Sequence, residues 1–218
     1  MTRLRITLLG DGSSDRVLLH PLQWLLRSNG VQLPLEPRWA EFGGLPDSRR
    51  SLTQRIAWAI RDFPCELLFI HRDAEKEDRR VRLTEICCAL EQMTWEAPPG
   101  AVPSVCVVPV RMTEAWFLFD ESAIRRVAGN PKSTAPLDLP RMARVEALHN
   151  PKELLHDILR RASGHSGRRL RKFRPVEAVH DLAARITDYA PLRQLEGFAA
   201  LERDVQEVVN TAGKRWRL

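Results

Sequence analysis

Short apolar runs alternate with stretches of helically spaced apolar residues over the first half of the chain. Residues 3–9 alternate and then become fully apolar before Gly10-Asp11-Gly12, as in a strand that runs into a tight turn. Residues 17–26 follow with apolar positions at helical spacing. The further predicted strands are 35–42, 66–70 and 105–110, and the further predicted helices are 52–63 and 81–93. This order predicts an α/β fold with a mostly parallel sheet flanked by helices, and Pro34 and Pro37 place the second strand at an edge.

The pattern changes near residue 120, after which strand-like runs disappear. Helical spacing dominates instead, over residues 152–162, 176–186 and 196–209. Two predicted loops, 129–140 and 164–175, separate these segments. The sequence therefore predicts an α/β core over 1–120 and a helical C-terminal part over 121–218 that packs on it.

Composition narrows the class of protein. The 218 residues are 44% hydrophobic and 28% charged, which suits a globular domain and excludes wholesale disorder. No apolar run reaches the roughly 20 residues of a membrane helix, and the N-terminus has no signal-peptide core. The cysteines form no CxxC pair, which favours buried thiols in a reducing cytoplasm; they are Cys65, Cys87, Cys88 and Cys106. The net charge of +6 permits a polyanionic partner.

Carboxylates follow three of the predicted strands. Asp11 and Asp15 follow the first strand, Asp73 and Glu75 the third, and Glu114 the fourth. Sites in open parallel sheets form beyond the carboxyl ends of the strands, so these groups are expected to converge. Several carboxylates at one edge repel each other unless a hard divalent cation compensates. We therefore predict a site for Mg²⁺ (or Mn²⁺) bound by Asp11, Asp15, Asp73 and Glu75, with Asp11, Asp73, Glu75 and Glu114 as catalytic residues.

Simpler interpretations of the same residues stay open. Asp15 can serve only as a helix cap, and Glu75 can belong to the first turn of the next helix. His71 is expected to cap the end of its strand rather than to act in catalysis. The loop Gly10–Ser14 resembles a phosphate loop but lacks the lysine that ends a P-loop.

A cationic segment, residues 160–174, contains many arginines and no acidic residue. Such a run is usually a solvated surface loop, but beside an acidic metal site it can also bind phosphates. Phe173 within it can stack on a base. The predicted nucleic-acid-binding residues are Arg72, His165, Arg168, Arg169, Arg171 and Lys172.

Three motifs carry a resemblance to a known family. The segment Asp11–Asp15 is similar to the acidic-Gly-x-x-acidic signature of Toprim domains, and Asp73-Ala74-Glu75 looks like their Asp-x-Asp motif. Arg72-Asp73-Ala74-Glu75 and the block Glu114–Asp120 more narrowly resemble the Toprim-like DUF4276 family. The resemblance implies a Toprim-like, Rossmann-like core related to nucleases of the overcoming-lysogenization-defect (OLD), RloB and AbiL type.

The resemblance also implies a function. It points to a cytoplasmic Mg²⁺-dependent nuclease that hydrolyses nucleic-acid phosphodiesters as an effector of bacterial phage defence, beside an ABC-type or OLD-type ATPase. The chain departs from the family pattern at Asp11, where Toprim domains usually have Glu, and at Glu75, where the motif has Asp. These departures support an alternative, a catalytically inactive subunit that binds nucleic acid or an ATPase partner. A third possibility is a partner-docking protein whose cationic segment is only surface.

Overall fold

Four parallel strands form the sheet of the protein, in the order β2-β1-β3-β4. The structure, a computed structural model, describes residues 2–40, 51–74, 77–94, 102–110 and 112–216. The strands are β1 (Leu4–Leu9), β2 (Leu35–Trp39), β3 (Leu67–His71) and β4 (Ser104–Val107). The predicted α/β fold with a parallel sheet is confirmed, and β2, which contains Pro37, lies at an edge of the described sheet as expected.

Helices flank the sheet and form all the regular structure described after residue 120. They are α1 (Leu19–Ser28), α2 (Leu52–Asp62), α3 (Arg79–Thr94), α4 (Glu121–Val127), α5 (Met142–Val145), α6 (Pro151–Ser163), α7 (Gly167–Lys172), α8 (Pro175–Arg185) and α9 (Glu196–Ala212). Short 3-10 helices span Ser13–Leu18, Thr113–Phe117, Ala190–Gln194 and Gly213–Arg215. The helices predicted at 152–162, 176–186 and 196–209 correspond to α6, α8 and α9.

One predicted loop, 164–175, is wrong in part because it contains α7. Gly164 adopts a left-handed conformation (φ 62°) that ends α6, and a new helical turn starts at Gly167. The residues that follow are mainly arginine, leucine and lysine, which are good helix formers. Part of the cationic segment, Gly167–Lys172, therefore forms a short helix with no buried residue.

Each face of the sheet is covered by its own set of helices. Leu67 and Phe69 of β3 face a large core shared with α1, α4, α6, α8 and α9. Leu68 and Ile70 point to the opposite face, where Ile56 of α2 packs in a smaller core that also includes α3. Alternation along a strand buried on both sides explains why β3 is uniformly apolar. The helices after residue 120 thus complete the core of the first face.

The cysteines differ from expectation. All four are free thiols; Cys65 is buried and Cys106 is partly buried, but Cys87 and Cys88 are exposed on α3. The expectation that all are buried is wrong because α3 packs through Ile86 and Ala89, which leaves positions 87 and 88 on its outer side. Within the described residues, no helix combines the length and apolarity needed to cross a bilayer.

Candidate metal centre

The carboxyl ends of β1 and β3 lie side by side at the centre of the sheet. From β1 the chain passes to β2 on one side, whereas β3 and β4 lie on the other. This is a topological switch point, the position at which open α/β sheets leave a crevice for a ligand. The turns after β1 and β3, together with the 3-10 helix Thr113–Phe117 beyond β4, bring their side chains to this crevice.

The turn after β1 buries Asp15. The backbone N–H groups of Asp11 and Gly12 donate to Asp15 Oδ2 at 2.9 and 2.8 Å, and the side chain is held at 4% residue exposure. Gly10 permits this tight turn, since a Cβ there would lie 2.5 Å from the Trp39 ring and 3.0 Å from Asp15 Cβ. Asp15 is thus oriented by the backbone of the loop that precedes it.

The end of β3 supplies the other two groups. His71 is 1% exposed, and its Nδ1 donates to the Val107 carbonyl oxygen at 2.9 Å, because a carbonyl can only accept. The opposite ring nitrogen, Nε2, lies 3.6 Å from Asp15 Oδ2 and 3.4 Å from Asp73 Oδ1. Asp73 Oδ1 also accepts from the Thr113 N–H at 3.1 Å. Three chain segments therefore converge on one small group.

The members of the Asp15–His71–Asp73 group shift one another's pKa values. Burial acts to lower the pKa of His71, but the hydrogen bond and charge of Asp73, with the charge of Asp15, raise it from 6.5 to about 9. Burial also raises the pKa of Asp15, against the effect of the His71 charge. A protonated His71 therefore offsets part of the negative charge of the two carboxylates.

A pH dependence of stability follows from the raised pKa of His71. The stabilising contribution is complete below the unfolded-state value near 6.5 and is lost as the pH rises through about 9. We expect the Tm of the wild-type protein in EDTA to fall between these pH values, and the Tm of His71→Gln to change much less. Thermal denaturation followed by circular dichroism measures both; a wild-type Tm that stays level over this range contradicts the assigned ion pairs.

The donor atoms of Asp15, His71 and Asp73 all lie within 4.8 Å of one another, close enough for a single metal ion. A histidine that ligates a metal usually donates its other ring N–H to a carbonyl or carboxylate, as His71 does to Val107. One imidazole and two carboxylates suit Mn²⁺ and related transition metals better than Mg²⁺, which prefers oxygen ligands. The residues present thus fit a divalent ion.

Asp11, predicted as a ligand, is placed differently. Its Oδ1 lies 3.2 Å from Arg55 Nη1 and its Oδ2 lies 2.9 Å from Arg72 Nε. Arg72 also contacts Glu85 Oε2 at 3.3 Å. The side chain of Asp11 is therefore balanced by two arginines, and its backbone N–H rather than its carboxylate contacts the Asp15–His71–Asp73 group.

Glu114 lies beside the group but faces a lysine. It is 7% exposed, and its Oε1 lies 3.4 Å from Lys152 Nζ. Burial raises the pKa of Glu114, with a further rise from the Asp73 charge and a fall from Lys152. Lys152 is fixed there because Asn150 caps α6, its Oδ1 accepting from Glu153 N–H at 3.1 Å. Glu75, the remaining predicted ligand, lies outside the described residues.

The predicted nucleic-acid-binding residues fall in two places. Arg72 is at the crevice, in its ion pairs with Asp11 and Glu85. The others are exposed on or next to α7, and the His165 ring stands edge-on to Phe173 at 6.4 Å between ring centroids. The second set consists of His165, Arg168, Arg169, Arg171 and Lys172, which are all exposed.

The sequence analysis gave His71 only a role in capping its strand, and it gave Lys152 no role. A signal for His71 existed, because residues two apart in an extended chain point to the same side, and His71 precedes Asp73 by two. The pairing with Asp15 carried no local signal, since it depends on β1 and β3 being neighbours in the sheet.

Comparisons of the chain with protein-family models, with curated proteins and with solved structures found no match. The resemblance to the Toprim-like DUF4276 family therefore stays a prediction from the motifs.

Proposed function

We propose that this protein is a divalent-metal-dependent nuclease that hydrolyses nucleic-acid phosphodiesters. The observation that carries the proposal is the buried Asp15–His71–Asp73 group at the switch point of a parallel sheet. A divalent ion held there would polarise the phosphodiester and lower the pKa of an attacking water. The donor set favours Mn²⁺ over Mg²⁺ as the more active metal.

The residues around the group have distinct tasks in this proposal. The Val107 carbonyl fixes the His71 ring with Nε2 directed at the ligand position, and two loop N–H groups hold Asp15. Lys152 brings a cation beside Glu114, next to the group, where it can balance phosphate charge. Arg72 can do the same after exchanging its contact with Asp11 or Glu85 for a phosphate oxygen.

The test is a cleavage assay with end-labelled DNA and RNA in the presence of Mg²⁺ or Mn²⁺. We expect cleavage with either metal, faster with Mn²⁺, that stops on addition of EDTA and returns when metal is restored. Cleavage that continues in EDTA, or no cleavage of any nucleic acid with either metal, contradicts the proposal.

One observation favours a second candidate, a non-catalytic nucleic-acid-binding subunit. The two arginines on Asp11 occupy a carboxylate that a nuclease of this type was expected to use for metal. The same assay separates the two candidates, since the second predicts salt-sensitive binding without turnover. Under either candidate, the motif resemblance leads us to propose a cytoplasmic role in phage defence beside an ABC-type or OLD-type ATPase.

A further inference from the structure

A row of basic side chains starts at the candidate metal centre and runs along α6. Lys152, His156 and Arg160 are spaced by four residues, so they lie on one face of the helix over about 12 Å. Lys152 contacts Glu114, which fixes the start of the row beside the Asp15–His71–Asp73 group. Burial lowers the pKa of His156, and the charges of Arg160 and Lys152 lower it further, consistent with their proximity. We refer to these three residues as the α6 row.

A small cavity lies between the start of the α6 row and α8. Its volume is about 30 Å³, which exceeds the roughly 10–15 Å³ that one water needs but is far too small for a nucleobase. It can admit water or a phosphate oxygen, while bases must stay outside. The lining residues are Ser14, Val17, Thr113, Glu114, Lys152, His156, Val176, Val179 and His180.

Helix α7 continues the positive surface. Val176 lines the cavity, and Lys172 is four residues earlier, hence no more than about 14 Å away along the chain. No acidic residue occurs between positions 158 and 176. Within the described part of the chain, Arg160 pairs with Asp157 and Arg161 with Asp138, whereas the cations of α7 form no ion pair. Those exposed cations are Arg168, Arg169, Arg171 and Lys172.

Acidic side chains border this positive path. Glu153 and Asp157 are exposed on the adjacent face of α6, and Glu177 and Asp181 are exposed on α8. The attractive surface is therefore narrow, and a second phosphate backbone beside the first would meet negative charge. The exposed His165 ring, next to Phe173, offers a face on which an unpaired base can stack.

We propose that α7 and the α6 row bind one single strand of nucleic acid and lead its backbone to the metal centre. The inference rests on the proposed function and adds the substrate class. His71 and Asp15 are almost fully buried, so a phosphate must enter a recess to reach them. A flexible single strand can bend into such a recess, whereas a duplex pays a deformation energy to do so.

Binding measured in EDTA tests the inference separately from cleavage. Fluorescence anisotropy is followed with labelled oligothymidylate, with oligouridylate and with a DNA duplex of the same length, over a range of salt concentrations. We expect both single strands to bind more tightly than the duplex. The salt dependence is the slope of the logarithm of the association constant against the logarithm of the salt concentration. The variant with Arg160→Glu, Arg168→Glu and Arg171→Glu should make this negative slope shallower by about 2, at roughly 0.7 per lost single-strand phosphate contact.

The matched control is Arg61→Glu, an exposed cation at the end of α2 on the opposite face of the sheet, which should bind as wild type does. Circular dichroism checks that each variant is folded. Duplex binding as tight as single-strand binding, or a salt slope unchanged in the triple variant, overturns the inference even if the protein cleaves nucleic acid. Single-strand binding as expected without cleavage in any metal instead overturns the proposed function alone.

Discussion

Asp73→Asn is expected to lower metal-dependent cleavage by more than about a hundredfold. Loss of an outer partner of a metal ligand already costs roughly 10–100-fold, and Asp73 is placed to be a ligand itself. The asparagine oxygen can still accept from the Thr113 N–H, so the turn after β3 should persist. The measurement is the cleavage rate at a fixed Mn²⁺ concentration, together with Mn²⁺ affinity by isothermal titration calorimetry, which should also fall.

The control for this variant is Asp62→Asn. Asp62 ends α2 and precedes β3, so it lies toward the amino end of the strand, away from the crevice. The Asp62→Asn variant removes one carboxylate from the surface and leaves the candidate metal centre unchanged. Its cleavage rate should equal that of the wild type. Equal rates for Asp73→Asn and the wild type would indicate a contaminating nuclease and would remove the basis for the proposed function.

The strands and the long helices could be predicted because their signals are local. The fully apolar 67–70 run marks a strand covered on both faces, and the helical spacing of 152–162 marks the amphipathic α6. Helix α7 could not be predicted in this way, because its exposed residues carry no hydrophobic pattern. Three residues, 164–166, separate it from α6, and the first of them is the left-handed Gly164.

The position of the candidate site could be predicted from the sequence, but the full set of residues that form it could not. In a parallel sheet, carboxylates that follow the neighbouring strands β1 and β3 are expected to lie close together. Asp15 and Asp73 do lie close together. Their companion is His71, whose role depends on the Val107 carbonyl of the next strand, 36 residues away. Asp11 is turned toward Arg55 of α2, 44 residues away, by an ion pair that no motif records. Long-range partners of this kind determine which of several carboxylates face the crevice.

The site also depends on the C-terminal helices. Phe198 of α9 is fully buried, with its ring centroid 5.2 Å from that of Trp116, and Trp116 belongs to the same 3-10 helix as Thr113 and Glu114. The packing of α9 therefore supports the segment that donates to Asp73. We therefore expect the helical part and the sheet to fold as one unit.

Phe198→Ala is accordingly expected to reduce the free energy of unfolding by about 3–5 kcal/mol, because it leaves a large cavity in the core shared by α9 and the sheet. Urea denaturation followed by tryptophan fluorescence and by far-ultraviolet circular dichroism measures the change. The control Val81→Ala, at a side chain 42% exposed on α3, should stay within about 0.5 kcal/mol of wild type.

In the wild type the two probes should give one coincident transition, since Trp24, Trp116 and Phe198 belong to a single core. Separate transitions, or a loss below about 1 kcal/mol in Phe198→Ala, would show that α9 is not integral to that core, because a fully buried aromatic normally costs several times more to remove.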